Sequence, residues 1–247
     1  MQKKVLLIGE GASLYIDPSK GVNTEFGIIK SSKLLKTKPG GLVKTHTGRR
    51  FFLVDMSTPD LARRIIRLPQ IITLKDLGSI IMYLGIKPDS KVLEAGTGSG
   101  LSTCVIGQIT VNGSVTSYEI RKDFAKIANK NVALFGLKNI KIINSDIKKG
   151  VKSKDFDSAL LDLPDPWEVL PVISKNIKIG GRICTYLPSI IQVEKTIRKL
   201  PDGLKPERLI ENREINWKMD VGRDVLRPES SGILHTGFLL FIRKYGK

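Results

Sequence analysis

Apolar and polar positions change pattern near residue 70. Before that point, short apolar runs at 5–9 (VLLIG), 13–17 (SLYID), 41–45 (GLVKT) and 49–55 (RRFFLVD) alternate with pieces rich in Gly, Pro, Asn and Lys. No helical period is sustained there, so residues 1–68 are expected to form a small β-rich domain. From Thr73 onward, Leu77, Ile80, Ile81 and Leu84 recur at i, i+3, i+4 and i+7. This spacing predicts a helix capped by Thr73 and ended by Gly85 and Pro88.

Strand and helix patterns then alternate. Strands are expected at 91–96, 114–119, 140–145, 157–163 and 180–187, and helices at 101–109, 122–135, 168–176 and 189–198. Two extended runs, 206–217 and 233–243, close the chain. Such alternation builds βαβ units around a mostly parallel sheet, so residues 69–247 are read as one α/β domain with helices on both faces.

Composition narrows the function classes. The chain has 247 residues, 41% of them hydrophobic and 26% charged, a globular balance that excludes disorder. No stretch approaches the roughly 20 apolar residues needed to span a bilayer. The apolar run in MQKKVLLIGEG is too short for a signal peptide. Cys104 and Cys184 are the only cysteines, with no CxxC or His/Cys cluster. Neither a disulfide framework nor a thiolate metal site is expected, and a reducing cytoplasm is the default. The net charge is +17, and the excess is dense before the middle, where Arg49, Arg50, Arg64 and Arg67 stand out beside Lys30, Lys33, Lys36, Lys38 and Lys44. A field of this sign gathers a polyanion, which makes these arginines candidate RNA contacts, although solubility alone also rewards such a surface.

Glu94-Ala95-Gly96-Thr97-Gly98-Ser99-Gly100 follows an apolar strand and opens a helix. The glycines permit a tight turn and close backbone approach. The spacing is GxGxG, neither the dinucleotide GxGxxG nor a triphosphate loop with its Lys. An acid such as Glu94 suits a cationic ligand, and S-adenosylmethionine carries both a sulfonium and an ammonium. The next strand ends in Glu119, where a carboxylate can accept both hydroxyls of a ribose. The third ends at Ser145-Asp146, next to Ile147, and an acid there can take an adenine amino group. Three acids at three successive strand ends fit a nucleoside.

The fourth strand runs into Asp162-Leu163-Pro164-Asp165-Pro166-Trp167, a rigid corner facing the same crevice. Methyltransferases acting on a base nitrogen place an acidic or amide group and an aromatic ring at this corner. Here Asp162 is the candidate catalytic group. Asp165 is as apt to cap a helix as to do chemistry, and Trp167 more often packs than stacks. His46, His235 and Trp217 are read as structural, and both cysteines as buried.

These residues together resemble the tRNA (adenine-N1)-methyltransferases that act on T-loop adenine 58, including an archaeal branch that also modifies adenine 57. The resemblance covers essentially the whole chain, through GLVKTHTG (41–48), PQII (69–72), VLEAGTGSG (92–100), SYEIR (117–121), DLPDPW (162–167), YLPS (186–189) and HTGFL (235–239). It implies a Rossmann-like class I S-adenosylmethionine-dependent fold with a small β-rich N-terminal domain that grips tRNA. It also implies a homotetramer built as a dimer of dimers. Ser99, Leu101, Ser102, Glu119, Phe124 and Asp146 would line the donor site, Asp162 the methyl-acceptor position, and Tyr186 and Gln70 the target pocket. The family commonly reads Tyr-Pro-Lys-Asp where this chain has Thr73-Leu74-Lys75-Asp76, which leaves Tyr186 as the main aromatic beside the target base. A catalytically silent tRNA-binding subunit and a methyltransferase for a small acceptor are the competing readings. Intact glycines, Glu119 and Asp162 argue against the first, and the basic N-terminal region against the second.

Overall fold

The computed structural model describes residues 5–9, 11–68, 71–229 and 235–246. Its chain divides into two compact units, one running up to Ile65 and taking in Leu134–Gly136, the other comprising the rest.

In the first unit, strands β1 (Val5–Gly9), β2 (Ala12–Ile16), β5 (Leu42–Lys44) and β6 (Arg50–Asp55) form an antiparallel sheet in the order β2-β1-β6-β5, beside a hairpin of β3 (Val22–Thr24) and β4 (Gly27–Ile29). Side chains alternate across such a sheet. Val5, Leu7, Ile16, Val43, Phe51 and Leu53 therefore share one face and close a core with Ile29 and Leu34. Two short helices, α1 (Ser31–Lys36) and α2 (Thr58–Ala62), correct the all-strand expectation. At six and five residues neither is long enough to show a period. The start of α2 still carries a local signal, because Asp60 accepts from the N–H and hydroxyl of Ser57, with Pro59 in the first turn.

The second unit holds helices α3 (Leu74–Leu84), α4 (Leu101–Ile109), α5 (Lys122–Phe135, all but its last two residues), α6 (Pro166–Ile173) and α7 (Ile190–Arg198). Its strands are β7 (Lys91–Ala95), β8 (Ser114–Glu119), β9 (Ile140–Asn144), β10 (Phe156–Leu161), β11 (Ile177–Leu187), β12 (Leu204–Glu211), β13 (Trp217–Asp220), β14 (Val225–Pro228) and β15 (Phe238–Lys244). Seven of them make one sheet ordered β12-β15-β11-β10-β7-β8-β9, with β15 antiparallel to both neighbours. From β7 the chain crosses through α4 and α5 toward β9, and from β10 through α6 toward β11. Right-handed crossovers in opposite directions place those helices on opposite faces. Leu93, Ala159, Leu161, Leu170, Ile183 and Leu240 belong to the apolar core. The strand order reverses between β7 and β10, and open sheets of this kind bind ligands at the carboxyl ends of such strands.

The tail differs from its expectation. A separate ribbon of β13 and β14 lies between β12 and β15. Trp217, expected to pack, is 52% exposed on it, and Met219 and Leu226 share its face through the β13–β14 register. Its Trp-x-Met alternation is readable, but which face finds a partner is not. No helix among the described residues is long and apolar enough to cross a membrane.

Candidate active site

Gly96 follows β7 with φ +87°. A Cβ there would lie 2.0 Å from the carbonyl oxygen of Asp162. The Asp162 N–H in turn donates to the Ala95 carbonyl at 2.9 Å. The first motif glycine is thus fixed by the backbone of the neighbouring strand, and the turn and the Asp162 corner form one packed unit.

Beyond this turn lies a cavity of about 210 Å³ whose walls include Gly96, Tyr118, Glu119, Asp146, Leu163 and Val169. Glu119 is held in place by two backbone donors, Gly98 N–H on Oε2 and Arg121 N–H on Oε1, each at 2.9 Å. Each oxygen keeps a further lone pair for a ligand. Asp146 accepts from the Lys148 N–H at 2.9 Å and faces the same cavity, as does Ile147. Carboxylates on one side and apolar Ile147, Leu163 and Val169 on the other suit a nucleoside, whose hydroxyls and amino group donate while its ring needs a dry slot.

Other expected donor-site residues stand behind this wall rather than on it. Glu94 is fully buried, and its carboxylate accepts from the hydroxyls of Ser102, at 2.5 Å, and Thr103. Burial pushes its carboxyl above the usual range, against the pull of the Ser102, Thr103 and Ser117 hydroxyls. Through these two hydroxyls Glu94 braces the first turn of α4 beneath the glycine loop. Ser99, Leu101 and Ser102 are buried in the same brace, where the Ser99 carbonyl accepts from Asn131 at 2.7 Å. Gly98 reaches the cavity through its bond to Glu119, whereas Gly100 takes the left-handed N-cap position of α4. Phe124 lies under the Arg121 guanidinium, 3.0 Å from its ring centre. Gln70 lies outside the described residues.

Asp162 and Tyr186 leave adjacent strands at the same level, since Leu161 pairs with Thr185. Among the described residues no side chain or N–H donates to the Asp162 carboxylate. Burial pushes its carboxyl up to about 7, and the charges of Glu94 and Glu119 add to the shift. The Tyr186 hydroxyl donates to the Thr236 carbonyl at 2.6 Å, and burial pushes it up to about 12. The corner between them is held by Gln192, which donates to the Pro164 carbonyl at 3.0 Å. Trp167 packs under Lys195, whose ammonium sits 4.2 Å from its ring centre.

Arg49 lies over Phe26 and Arg64 over Tyr15, while Arg50 and Arg67 are exposed. Sequence reasoning missed Lys148, which pairs with Asp165 so that the two loops of the cavity meet at an ion pair. The two stand 17 residues apart and only the fold joins them. Both cysteines are buried with their thiols pushed up by burial, so neither is a nucleophile. His46 accepts from the Ile28 N–H at 2.8 Å, a structural bond. Among the described residues no cluster of His, Cys, Asp or Glu has the makings of a metal site.

Residues 50–221 match the family described as "tRNA methyltransferase complex GCD14 subunit". The tRNA (adenine(57)-N(1)/adenine(58)-N(1))-methyltransferase of Methanocaldococcus jannaschii is 34% identical, over 89% of this chain and 86% of its own. Among solved structures, an S-adenosylmethionine-dependent O-methyltransferase of Thermotoga maritima matches with a TM-score of 0.83 and 30% identity, covering 100% of this chain and 94% of that one. The tRNA (m1A58) methyltransferase of Aquifex aeolicus matches with 0.77 and 27%, covering 100% and 98%. The α/β sheet with its small antiparallel β companion is accordingly the Rossmann-like fold of these methyltransferases. With more than half of its length under the family match, the chain belongs to the GCD14 family of tRNA methyltransferases.

Proposed function

We propose that this chain transfers a methyl group from S-adenosyl-L-methionine to N1 of adenine 58 in the T-loop of tRNA, with the choice between adenine 58 alone and adenines 57 and 58 together left to the product analysis. The observation that carries the reading is Asp162, a strand-end carboxylate with a raised pKa and no protein donor among the described residues, beside a cavity walled by Glu119 and Asp146. Bound S-adenosylmethionine supplies an electrophilic methyl group. Glu119 would accept from its ribose hydroxyls and Asp146 from its adenine amino group, with Ile147, Leu163 and Val169 as the apolar wall for the ring.

On the acceptor side the target base is turned out of its stack, because a stacked base holds N1 out of reach of the donor. Asp162 accepts from its 6-amino group. As N1 becomes alkylated the ring turns cationic, and the nearby carboxylate balances that charge and is placed to take a proton. A preorganised charge of this kind is worth ~3 kcal/mol in the transition state. Tyr186 flanks the base.

Residues 1–68 serve as the tRNA-contact domain, with Arg49, Arg50, Arg64 and Arg67 among the phosphate contacts, and residues 69–247 as the catalytic domain. Arg50 suits this best, being exposed beside its cross-strand partner Lys44 and on the same face as exposed Phe52. The assembly is a homotetramer in the cytoplasm. A two-stranded ribbon does not hold an open apolar face by itself, and the exposed Trp217–Met219–Leu226 face supports association of copies.

The raised carboxyl gives a pH signature. An Asp162 carboxyl at about 7 is protonated and neutral below that pH, and then neither accepts from the amino group nor balances the ring. The kcat/KM, which reports the free protein, rises with pH up to about 7 and levels off above it. Bound sulfonium favours the ionised carboxylate, so the kcat profile breaks at lower pH. Asp162→Asn removes this limb from both profiles; a limb unchanged in that variant assigns the ionisation elsewhere.

The competing reading, a silent tRNA-binding subunit, makes the opposite prediction about the purified chain alone. The enzyme reading requires saturable calorimetric binding of S-adenosylmethionine and tRNA-dependent release of S-adenosylhomocysteine. Absence of both favours the silent subunit.

A further inference from the structure

A buried polar cluster at the start of α3 has no part in the chemistry above. Asp76 is 0% exposed, and its two oxygens accept four hydrogen bonds. Lys75 Nζ and Asn212 Nδ2 reach Oδ1 at 2.9 and 3.1 Å, while the hydroxyls of Thr73 and Thr236 reach Oδ2 at 3.0 and 2.7 Å. The Lys75 ammonium spends its other two protons on the Asn212 carbonyl at 2.9 Å and the Thr236 hydroxyl at 2.7 Å. Thr73 stands at the N-cap of α3, as its position in the sequence predicts, and turns its hydroxyl to this carboxylate rather than to a backbone N–H. Burial pushes the Asp76 carboxyl up, but the bonds from Lys75, Thr236, Asn212 and Thr73 outweigh it and hold the group below the ordinary range.

The cluster ends on one segment, His235-Thr236-Gly237, which leads into β15. Thr236 gives its hydroxyl to Asp76 and its carbonyl to Tyr186. A Cβ at Gly237 would lie 2.7 Å from Cζ of the Tyr186 ring, so the ring rests directly on that backbone. His235, one residue earlier, ties the same segment to Glu211 at 2.8 Å and to the Pro188 carbonyl at 3.2 Å. Where this segment lies decides where the Tyr186 ring lies. A fully satisfied buried network holds such a position rigidly, whereas an apolar filling of equal volume is often as stable without it.

We infer that Lys75, Asp76 and Thr236 are positioning residues that set the Tyr186 ring against the acceptor base. This rests on the reading of Tyr186 as a wall of the acceptor pocket. Misplacing a positioned group by about 1 Å costs up to ~100-fold in rate.

The test compares Thr236→Val, which keeps shape and removes the hydroxyl, with Thr236→Ser, Tyr186→Phe, Gly237→Ala and the Thr236→Val/Tyr186→Phe double variant. The readouts are kcat, KM for tRNA, S-adenosylmethionine affinity and melting temperature. Thr236→Val is expected to lower kcat/KM for tRNA by about 10- to 100-fold at unchanged donor affinity, and Thr236→Ser to restore it. Gly237→Ala, which displaces the ring without touching Asp76, has the same kinetic effect. The double variant is no worse than the poorer single one, because both substitutions cut one chain of contacts. Additive losses, or wild-type kinetics in Thr236→Val while Tyr186→Phe is impaired, overturn the positioning role. Full activity in Tyr186→Ala overturns the underlying reading of the ring instead, whatever Thr236 does.

Discussion

Gly96→Ala is expected to abolish donor binding while leaving a folded protein of lower stability. Two costs combine at this position. The backbone has φ +87°, where a Cβ is strained, and that Cβ would stand 2.0 Å from the Asp162 carbonyl oxygen, an atom of a buried strand end with no rotamer to change. Strain and overlap together are worth about 3 kcal/mol, or roughly 6–12 °C in melting temperature for a unit of this size. The ends of β7 and β10 must part to accommodate the methyl group, which shifts Gly98 and so the hydrogen bond that aims Glu119. Gly136→Ala is the matched control. Gly136 has φ +70° but open space around its missing Cβ, so only about 1–2 kcal/mol of strain is incurred there. Thermal melting and donor calorimetry on the two variants separate strain from collision. Equal effects in both would mean that the contact with Asp162 is unimportant.

Asp162→Asn is expected to lower kcat by about 10²–10³, with donor affinity falling by no more than the factor by which the bound sulfonium favours the ionised carboxylate. The amide keeps the shape of the side chain and its place at the end of β10. It cannot carry the negative charge that the alkylated base calls for, and it cannot take a proton. Removing an uncompensated carboxylate flanked by Glu94 and Glu119 also relieves repulsion, so the variant should melt no lower than the parent. A slower yet equally stable protein is the signature of a group held for chemistry. Turnover within a few-fold of the parent would show that another residue meets the acceptor.

Much of this site is legible in the residues themselves. Apolar runs such as VLEA and SALL are long, bounded by turn residues and alternate with helical spacing, so β7 and β10 are read in place. The acids Glu119, Asp146 and Asp162 close successive strands, and strand ends are where this topology gathers ligands. What escapes is whatever depends on distance in space. Glu94 looks like a ligand contact because it stands next to a strand end, yet the hydroxyls that hold it come from Ser102 and Thr103, in the first turn of α4. The Lys148–Asp165 pair and the Asp76 cluster join segments 17 and up to 161 residues apart, and no local pattern announces them. The short helices α1 and α2 fail for the opposite reason: six and five residues are too few to show a period.

The central claim is that the base receiving the methyl group is a T-loop adenine, modified at N1. The most direct measurement is mass spectrometry of a digested, initially unmodified tRNA after incubation with the purified chain and S-adenosylmethionine. One-methyladenosine at position 58, with or without position 57, is the predicted result, and its loss in the Asp162→Asn variant ties it to this site. A methyl group found on an oxygen, on another base or on a nucleotide outside the T-loop would contradict the account.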